Sequence, residues 1–212
     1  MIDKWLSKTK LNGFFEKFVR KLFFKKMSAN SITLLALITG LLSSLSIFLS
    51  GFLIWEIELI ICATSLMTLS FFLDVLDGAL ARIDKPTTFG GILDIFSDRM
   101  VEVLIIISII SVDQINLMWP GIISLGSIIL CITMFLLVGG AVKGKDLEET
   151  KKVIYYRAGL MERSETFLFL IIITILIPWR VIILWIFALL ILLTALLRLR
   201  DAYLLFKGNN EQ

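Results

Sequence analysis

The segment DVLDGALARIDKPTTFGGILDIFSD spans residues 74–98, and four of its aspartates recur at helical spacing. Residues three and four positions apart share one face of a helix. The first half therefore predicts a helix with one polar face, formed by Asp74, Asp77, Gly78, Ala81 and Arg82. The second half predicts another such face, formed by Gly90, Asp94 and Asp98. A short turn containing Pro86 joins the two helices, so we expect the acidic faces to lie opposite each other.

The rest of the chain is far more apolar than this segment. Of its 212 residues, 58% are hydrophobic and 18% are charged. A soluble domain has about 45–50% apolar and about 25% charged residues. A soluble domain of this length could not bury so much apolar surface in one core. The composition therefore excludes a soluble globular domain, a disordered chain and a disulfide scaffold.

The residue types that are missing also restrict the chemistry. The chain has no histidine, which excludes a Ser-His-Asp triad and a histidine-ligated zinc or haem. Cys62 and Cys131 each lie in an apolar run outside any CxxC pattern, so we interpret both as packing residues. A metal site in this chain must therefore use carboxylates, which favours a hard cation such as Mg²⁺.

The four spaced aspartates, Asp74, Asp77, Asp94 and Asp98, are the candidate metal ligands. A charge at the centre of a membrane helix costs about 2.5–3.5 kcal/mol on insertion scales, and neighbouring carboxylates repel each other. One or two divalent cations remove both penalties. Two Mg²⁺ ions about 3.5–4 Å apart also suit transfer of a phosphoryl group. A lone Asp-x-x-Asp near the end of a span usually lies in the membrane interface without a function. The repetition of the pattern on two adjacent helices argues against that interpretation here.

Six apolar runs predict an all-α integral membrane protein, because a spanning helix needs about 20 mostly apolar residues. The runs are Ile32–Leu53, Ile57–Leu80, Gly91–Val112, Leu117–Val142, Thr166–Ile177 and Val181–Leu199. The fifth run is short, and we expect its helix to extend backward into the preceding polar segment. Pro178, Trp179 and Arg180 interrupt the apolar pattern and separate the last two helices.

The basic residues predict the orientation, because cytoplasmic segments carry an excess of Lys and Arg. All but one of the 21 basic residues fall on or near the side that holds both termini and the acidic segment. The exception is Arg180, which shares the opposite side with Glu56, Glu58 and Asp113. We therefore expect a multi-pass protein of the cell (inner) membrane, with cytoplasmic termini and a cytoplasmic active site.

Residues 1–26 predict a separate amphipathic helix that lies in the membrane interface. Its apolar residues recur at helical spacing, and its basic residues lie largely on the other faces. Anionic membrane lipids are therefore expected partners. Residues 27–205 then form the six-helix transmembrane catalytic domain, and residues 206–212 a cytoplasmic tail.

The segment 74–98 resembles the signature of the CDP-alcohol phosphotransferase family, D-x2-D-G-x2-A-R-x(7–8)-G-x3-D-x3-D. All eight fixed positions are filled, with the shorter spacing of seven residues between Arg82 and Gly90. The resemblance extends to the layout of an interfacial helix followed by six spans. Asn30 and Thr33 resemble the family's Asn-x-x-Thr, although Ala29 stands where a proline is usual.

This resemblance implies an enzyme that moves a substituted phosphoryl group from a CDP-alcohol to an acceptor hydroxyl and releases CMP. It implies Mg²⁺ or Mn²⁺ as the cofactor, with two ions expected, and a homodimer. Asp74, Asp77 and Asp94 would hold metal, and Asp98 would complete the metal site and act as the general base. The residues implied for binding CDP are Asn30, Thr33, Gly78, Ala81, Arg82 and Gly90.

The resemblance to short prokaryotic phospholipid synthases favours CDP-diacylglycerol as the donor. A basic cluster between the fourth and fifth spans suits a phosphorylated acceptor, because a phosphate needs several positive donors. The candidate acceptor-binding residues are Lys143, Arg157 and Arg163. Inositol phosphate or glycerol 3-phosphate is the favoured acceptor. The alternatives within the same family are serine, free inositol, or another pair of CDP-alcohol and acceptor. The alternative to an acceptor-binding role is that these residues only reflect the excess of basic residues in cytoplasmic segments.

Two other functions use the same acids differently. A divalent-cation transporter would place acids toward the middle of the bilayer and break its helices there, whereas these acids cluster near one side. A catalytically silent scaffold would keep the fold without turnover. No nucleic acid is expected as a partner. Arg99 and Glu102, just beyond the signature, are predicted to pair with each other at i, i+3 spacing as a structural feature.

Overall fold

The computed structural model describes residues 27–83, 87–143 and 161–207, which form six α-helices and one short 3₁₀ turn. The helices are α1 (Ala29–Ser50), α2 (Glu56–Ile83), α3 (Thr88–Val112), α4 (Gln114–Lys143), α5 (Arg163–Ile175) and α6 (Arg180–Lys207). The 3₁₀ turn Ile177–Trp179 separates α5 from α6. Each apolar run coincides with one of these helices, so the all-α prediction is confirmed, including the backward extension of α5 to Arg163.

Four stretches of these helices are long and apolar enough to cross a membrane. They are Ala29–Ser50, Glu56–Ile83, Gln114–Gly140 and Ile177–Leu204, with mean hydropathy between 2.1 and 2.7. The α3 helix has charged side chains along its first half, and α5 has only 13 residues. The count of six spans therefore stays a prediction. The predicted interfacial helix lies outside the described residues, and α6 continues to Lys207, into the predicted tail.

Short polar residues fix where the helices at the acidic end begin. The Ser28 hydroxyl accepts a hydrogen bond from the Ser31 amide at 3.2 Å and caps α1. The Thr87 hydroxyl accepts one from the Gly90 amide at 3.0 Å and caps α3. Each cap satisfies an amide that has no partner inside its own helix. The α3 helix therefore starts just before the second acidic face.

The α1 helix packs closely against both α2 and α3. The Ser43 hydroxyl donates to the Ala63 carbonyl oxygen on α2 at 2.7 Å. A Cβ atom at Gly40 would lie 2.5 Å from a methyl carbon of Val101 on α3, so only glycine permits this approach. Small residues and hydroxyls at helix contacts are typical of membrane bundles. They hold α2 and α3 against a common helix.

An apolar cluster joins α5 to the other helices. Ile105 and Ile109 of α3, Phe167 and Leu170 of α5 and Phe187 of α6 are buried together in it. The α5 helix contacts α2, α3 and α6. Because Phe167 and Leu170 are buried on one face of α5, the rotation of the helix about its own axis is fixed. The first residue of α5, Arg163, is thereby placed beside the acidic faces.

Candidate active site

Three of the four predicted metal ligands converge between α2 and α3. One carboxylate oxygen each from Asp74, Asp94 and Asp98 can be chosen so that all three lie within 4.8 Å of one another. Asp74 comes from α2, while Asp94 and Asp98 lie one turn apart on α3. The structure therefore brings together the acidic faces of two helices, as the helical spacing predicts. Asp98 is buried, with 8% of its surface exposed.

The fourth predicted ligand, Asp77, lies next to this group without being part of it. Asp77 is 4% exposed, and its Oδ2 atom is buried without a hydrogen-bond partner among the described residues. The polar Thr33 side chain and the charge of Asp94 both act on this carboxyl group. A buried carboxylate oxygen without a donor is costly. Its role as a metal ligand stays a prediction.

Arg163 enters this site from α5. Its NH2 group contacts Asp74 Oδ1 and Asp98 Oδ1, and its NH1 group lies 3.4 Å from Asp94 Oδ1. One guanidinium thus bridges carboxylates from both acidic helices. The sequence predicts Arg163 as an acceptor-binding residue, and the structure places it directly on the predicted metal ligands. A planar group with five donors is well suited to bridge carboxylates and phosphate oxygens.

The predicted CDP-binding residues surround the ends of α1, α2 and α3 nearest the acids. A Cβ atom at Gly90 would lie 2.9 Å from both Asn30 Oδ1 and Thr87 Oγ1, so Gly90 lets α3 approach Asn30. At Gly78 the nearest atom among the described residues, Arg82 NH1, would be 3.8 Å away, so the packing of this part of the chain does not require glycine there. That open space is consistent with a ligand beside α2.

The other predicted binding residues differ in accessibility. Thr33 is buried, Ala81 is half-buried and Arg82 is exposed at the end of α2. An exposed guanidinium at this position is accessible to an anionic ligand. Lys143 is the last residue of α4, and Arg157 lies outside the described residues. The structure therefore locates Arg163 alone among the three predicted acceptor-binding side chains.

A small cleft of mixed polar and apolar lining extends from the carboxylates toward α1. Its lining includes Thr33, Ser70, Asp74, Ser97 and Asp98. The Ser97 hydroxyl is buried without a hydrogen-bond partner among the described residues. Our sequence interpretation missed Ser97, although its position three residues after Asp94 places it on the acidic face. The signal was present in the helical spacing, but a serine is too common in apolar helices to stand out.

The donor set fits a divalent cation. All the convergent groups are carboxylates, and hard cations such as Mg²⁺ prefer oxygen ligands, commonly one or two carboxylates together with phosphates. The ligands come from two helices that are fixed by packing against α1. The Asp77 Oδ2 atom, which has no hydrogen-bond partner among the described residues, adds an acceptor at the edge of the group. A divalent cation held by these acids would neutralise the charge of a diphosphate group next to them.

The fold and the site together define a helical membrane protein with a carboxylate cluster suited to divalent cations and phosphates. The family model for CDP-alcohol phosphatidyltransferase matches residues 26–196. The match contains all three convergent aspartates, Asn30 and Arg163. The chain therefore belongs to the CDP-alcohol phosphatidyltransferase family, as the resemblance of the acidic segment implies.

Synthases of inositol-containing phospholipids are among the known proteins that are similar to this chain. Archaetidylinositol phosphate synthase of Methanothermobacter thermautotrophicus is 49% identical over 51 residues, which is 24% of this chain and 26% of that protein. The aligned region thus spans about a quarter of that relative's length. Mycobacterium tuberculosis phosphatidylinositol phosphate synthase with CDP-DAG bound matches with a TM-score of 0.70, covering 89% of this chain and 93% of the other. The sequence identity over this match is 17%.

A second structure of the M. tuberculosis synthase holds manganese and citrate. It matches with a TM-score of 0.71 and 17% identity, covering 89% of this chain and 88% of the other. These two matches support the fold of the whole helical bundle. The shorter but closer match to the archaeal synthase is independent of them.

Proposed function

We propose that this protein transfers a phosphatidyl group from CDP-diacylglycerol to a hydroxyl of inositol phosphate and releases CMP. The observation that carries the proposal is the convergence of Asp74, Asp94, Asp98 and Arg163, which combines metal ligands with a phosphate-binding side chain in one place. The names of both similar synthases include an inositol phosphate product. This favours inositol phosphate over glycerol 3-phosphate, serine or free inositol.

Mg²⁺ or Mn²⁺ would be held by Asp74, Asp94 and Asp98, with Asp77 as a further ligand for a second ion. When bound, the metal neutralises the diphosphate and stabilises the charge that develops on the leaving CMP. The manganese complex of the similar M. tuberculosis synthase supports this choice of cation. The helices α2 and α3 keep the carboxylates in place, so little rearrangement of the protein is needed when the donor binds.

The chain's own residues would then perform three tasks. Asp98 accepts the proton of the acceptor hydroxyl. At the same time the oxygen of that hydroxyl bonds to the phosphorus that carries diacylglycerol, and the bond from this phosphorus to CMP breaks. Arg163, with Lys143 and Arg157, binds the phosphate of the acceptor. Asn30, Thr33, Gly78, Ala81, Arg82 and Gly90 bind the CDP group.

The same proposal includes the arrangement in the membrane. Six spans would place both termini and the active site on the cytoplasmic side, with residues 1–26 lying in the interface as a lipid-binding helix. CDP-diacylglycerol could then enter from the bilayer, while a soluble acceptor arrives from water. We also propose a homodimer, on the family resemblance alone.

Release of CMP from CDP-diacylglycerol tests the function directly. The purified full chain is incubated with Mg²⁺ or Mn²⁺ and with each of the four acceptors in turn. We expect CMP in the presence of inositol phosphate and none after chelation of the metal. Absence of CMP with every acceptor, in protein that binds CDP, would overturn the proposal. Metal-dependent ion flux in proteoliposomes without CDP binding would instead favour a transporter.

A further inference from the structure

Glu102 is the most deeply buried carboxylate among the described residues, with 0% of its surface exposed. It lies on α3 one turn beyond Asp98, so the two side chains share a helix face. The family signature ends at Asp98 and does not include Glu102. A second acidic group thus lies next to the proposed metal site without an assigned role.

The compensating charge for Glu102 comes from Arg99. Arg99 NH1 lies 2.5 Å from Glu102 Oε2, and the Arg99 side chain is 29% exposed. No backbone amide or hydroxyl group of the described residues donates a hydrogen bond to either Glu102 oxygen. Glu102 therefore depends on this one guanidinium, and the predicted i, i+3 pair is confirmed.

Packing alone does not account for this pair. Removing two charges from water costs about as much as their attraction returns, and apolar residues of similar volume often stabilise a protein as well or better. An isolated buried pair is therefore a poor structural device in an apolar helix. This pair differs from an isolated buried pair in the position of Arg99. Arg99 directly follows Asp98, and its charge acts on Asp94, Asp98 and Glu102.

Arg99 has no ion pair with the metal-site carboxylates in the part of the chain that the structure describes, and its one ion pair is with Glu102. Arg163, by contrast, contacts Asp74 and Asp98 directly. A second guanidinium on these carboxylates, if Arg99 were released from Glu102, would compete with a divalent cation for the same oxygens. We propose that Glu102 is a positioning residue, which holds Arg99 in an ion pair and so keeps it off the carboxylates that bind the metal.

This inference rests on the proposed metal site, and Mn²⁺ affinity tests it without turnover. Electron paramagnetic resonance of free Mn²⁺ gives the affinity of the purified full chain. We expect Glu102→Gln to weaken Mn²⁺ binding about tenfold, the lower end of the range for groups that support metal ligands. Adding Arg99→Gln to it should restore the affinity to within about twofold of the wild type, because the competing cation is then gone.

A matched control separates positioning from a change in net charge. Arg198 and Arg99 both act electrostatically on Cys131, so Arg198 is a positive charge in the same region. Its NH1 group donates to the Cys131 carbonyl oxygen at 3.0 Å. Glu102→Gln combined with Arg198→Gln has the same net charge as the restoring double variant. We expect this control to bind Mn²⁺ as weakly as Glu102→Gln alone.

Unchanged Mn²⁺ affinity in Glu102→Gln would overturn the inference, as would equal restoration by the Arg198 control. If Glu102→Gln does not fold, Glu102→Asp is used instead, because the shorter side chain forms a weaker ion pair with Arg99. Adding Arg99→Gln to it should again restore the Mn²⁺ affinity. Wild-type protein that binds no Mn²⁺ would overturn the proposed metal site as well. If the Mn²⁺ results are as expected but no CMP is released, the inference stands and the proposed transfer reaction fails.

Discussion

Two arginines at opposite ends of α5 have different partners. Arg163 begins the helix, and its guanidinium contacts carboxylates of α2 and α3. Arg180 follows the 3₁₀ turn after the helix and is only 4% exposed. Its Nε and NH2 groups donate to the carbonyl oxygens of Ile173 and Thr174, each at 3.2 Å. The same side chain thus contacts acids at one end and backbone at the other.

The difference in partners implies a difference in role. The last carbonyls of a helix have no partner within it, so Arg180 supplies hydrogen bonds that α5 lacks. Those carbonyls are fixed by the fold. The carboxylates around Arg163 are the proposed metal ligands, and they can exchange the guanidinium for another cation. We therefore expect changes at the Arg180 end to affect stability and changes at the Arg163 end to affect turnover.

The largest effect is expected at the Arg163 end, from Asp98→Asn. The amide cannot accept the proton of the acceptor hydroxyl and is a poorer metal ligand. CMP release should fall by about 10³-fold, within the usual range for loss of a general base. The thermal unfolding temperature should change little, because the two side chains have the same shape. Turnover within about tenfold of the wild type would show that another group accepts the proton.

Arg163→Gln should come next. Loss of a charge-assisted hydrogen bond costs about 1.5–3 kcal/mol, so kcat/KM for the phosphorylated acceptor should fall by about 10–100-fold. The same variant should lose much less with an unphosphorylated acceptor such as inositol, if that is used at all. Steady-state kinetics with both acceptors measures the difference.

The matched control for Arg163→Gln is Arg200→Gln. Arg200 is exposed and forms a surface ion pair with Asp201 at 3.2 Å. Such pairs contribute about 0–1 kcal/mol, so both turnover and stability should stay near those of the wild type. An equal loss of kcat/KM in both variants would mean that general positive charge, rather than Arg163 itself, attracts the acceptor.

Arg180→Gln is expected to lower stability and to leave turnover unchanged. Two hydrogen bonds from a charged donor to buried carbonyls are lost, so the free energy of unfolding should fall by about 3 kcal/mol. CMP release per folded molecule should remain close to the wild-type value. Thermal unfolding in detergent, followed by the assay on the folded fraction, measures both. A stable Arg180→Gln protein with low turnover would contradict the proposed division between the two ends.

The sequence predicts the helices and the convergence of the aspartates better than it predicts the contacts of the two arginines. Long apolar runs and the break at Pro178 locate the helices, because both signals are local. The spacing of Asp74, Asp94 and Asp98 predicts their convergence, because the two helices are neighbours along the chain. The site could therefore be recognised from 25 residues before any tertiary contact was known.

The contacts of both arginines were not predictable in this way. Arg163 reaches Asp94 across 69 positions, and nothing local indicates that a residue of the polar loop will touch the acids. The sequence placed Arg180 in an outer turn with acidic neighbours, yet the structure buries it against helix carbonyls. Helix periodicity similarly gave the Arg99–Glu102 pair but not its depth, because burial depends on how α3 is rotated against its neighbours.

The smallest expected effect distinguishes two adjacent glycines at the Arg163 end. A Cβ atom at Gly90 would lie 2.9 Å from Asn30 Oδ1 and Thr87 Oγ1, whereas no atom of the described residues lies within 4 Å of one at Gly91. Gly90→Ala should therefore displace the proposed CDP ligand Asn30 and weaken CDP binding about fivefold, a loss of about 1 kcal/mol. It should also strain the Thr87 cap, which contributes about 1 kcal/mol to stability.

Gly91→Ala adds the same methyl group one position along the helix without either contact. Alanine is preferred to glycine inside a helix by about 0.5–1 kcal/mol, so this variant should bind CDP normally and unfold at a slightly higher temperature. Calorimetric titration with CDP and thermal unfolding compare the pair. The unfolding temperature should fall in Gly90→Ala and rise in Gly91→Ala, whereas a general weakening of α3 would lower it in both variants. Only the approach of α3 to Asn30 and Thr87 predicts that Gly90 alone is sensitive.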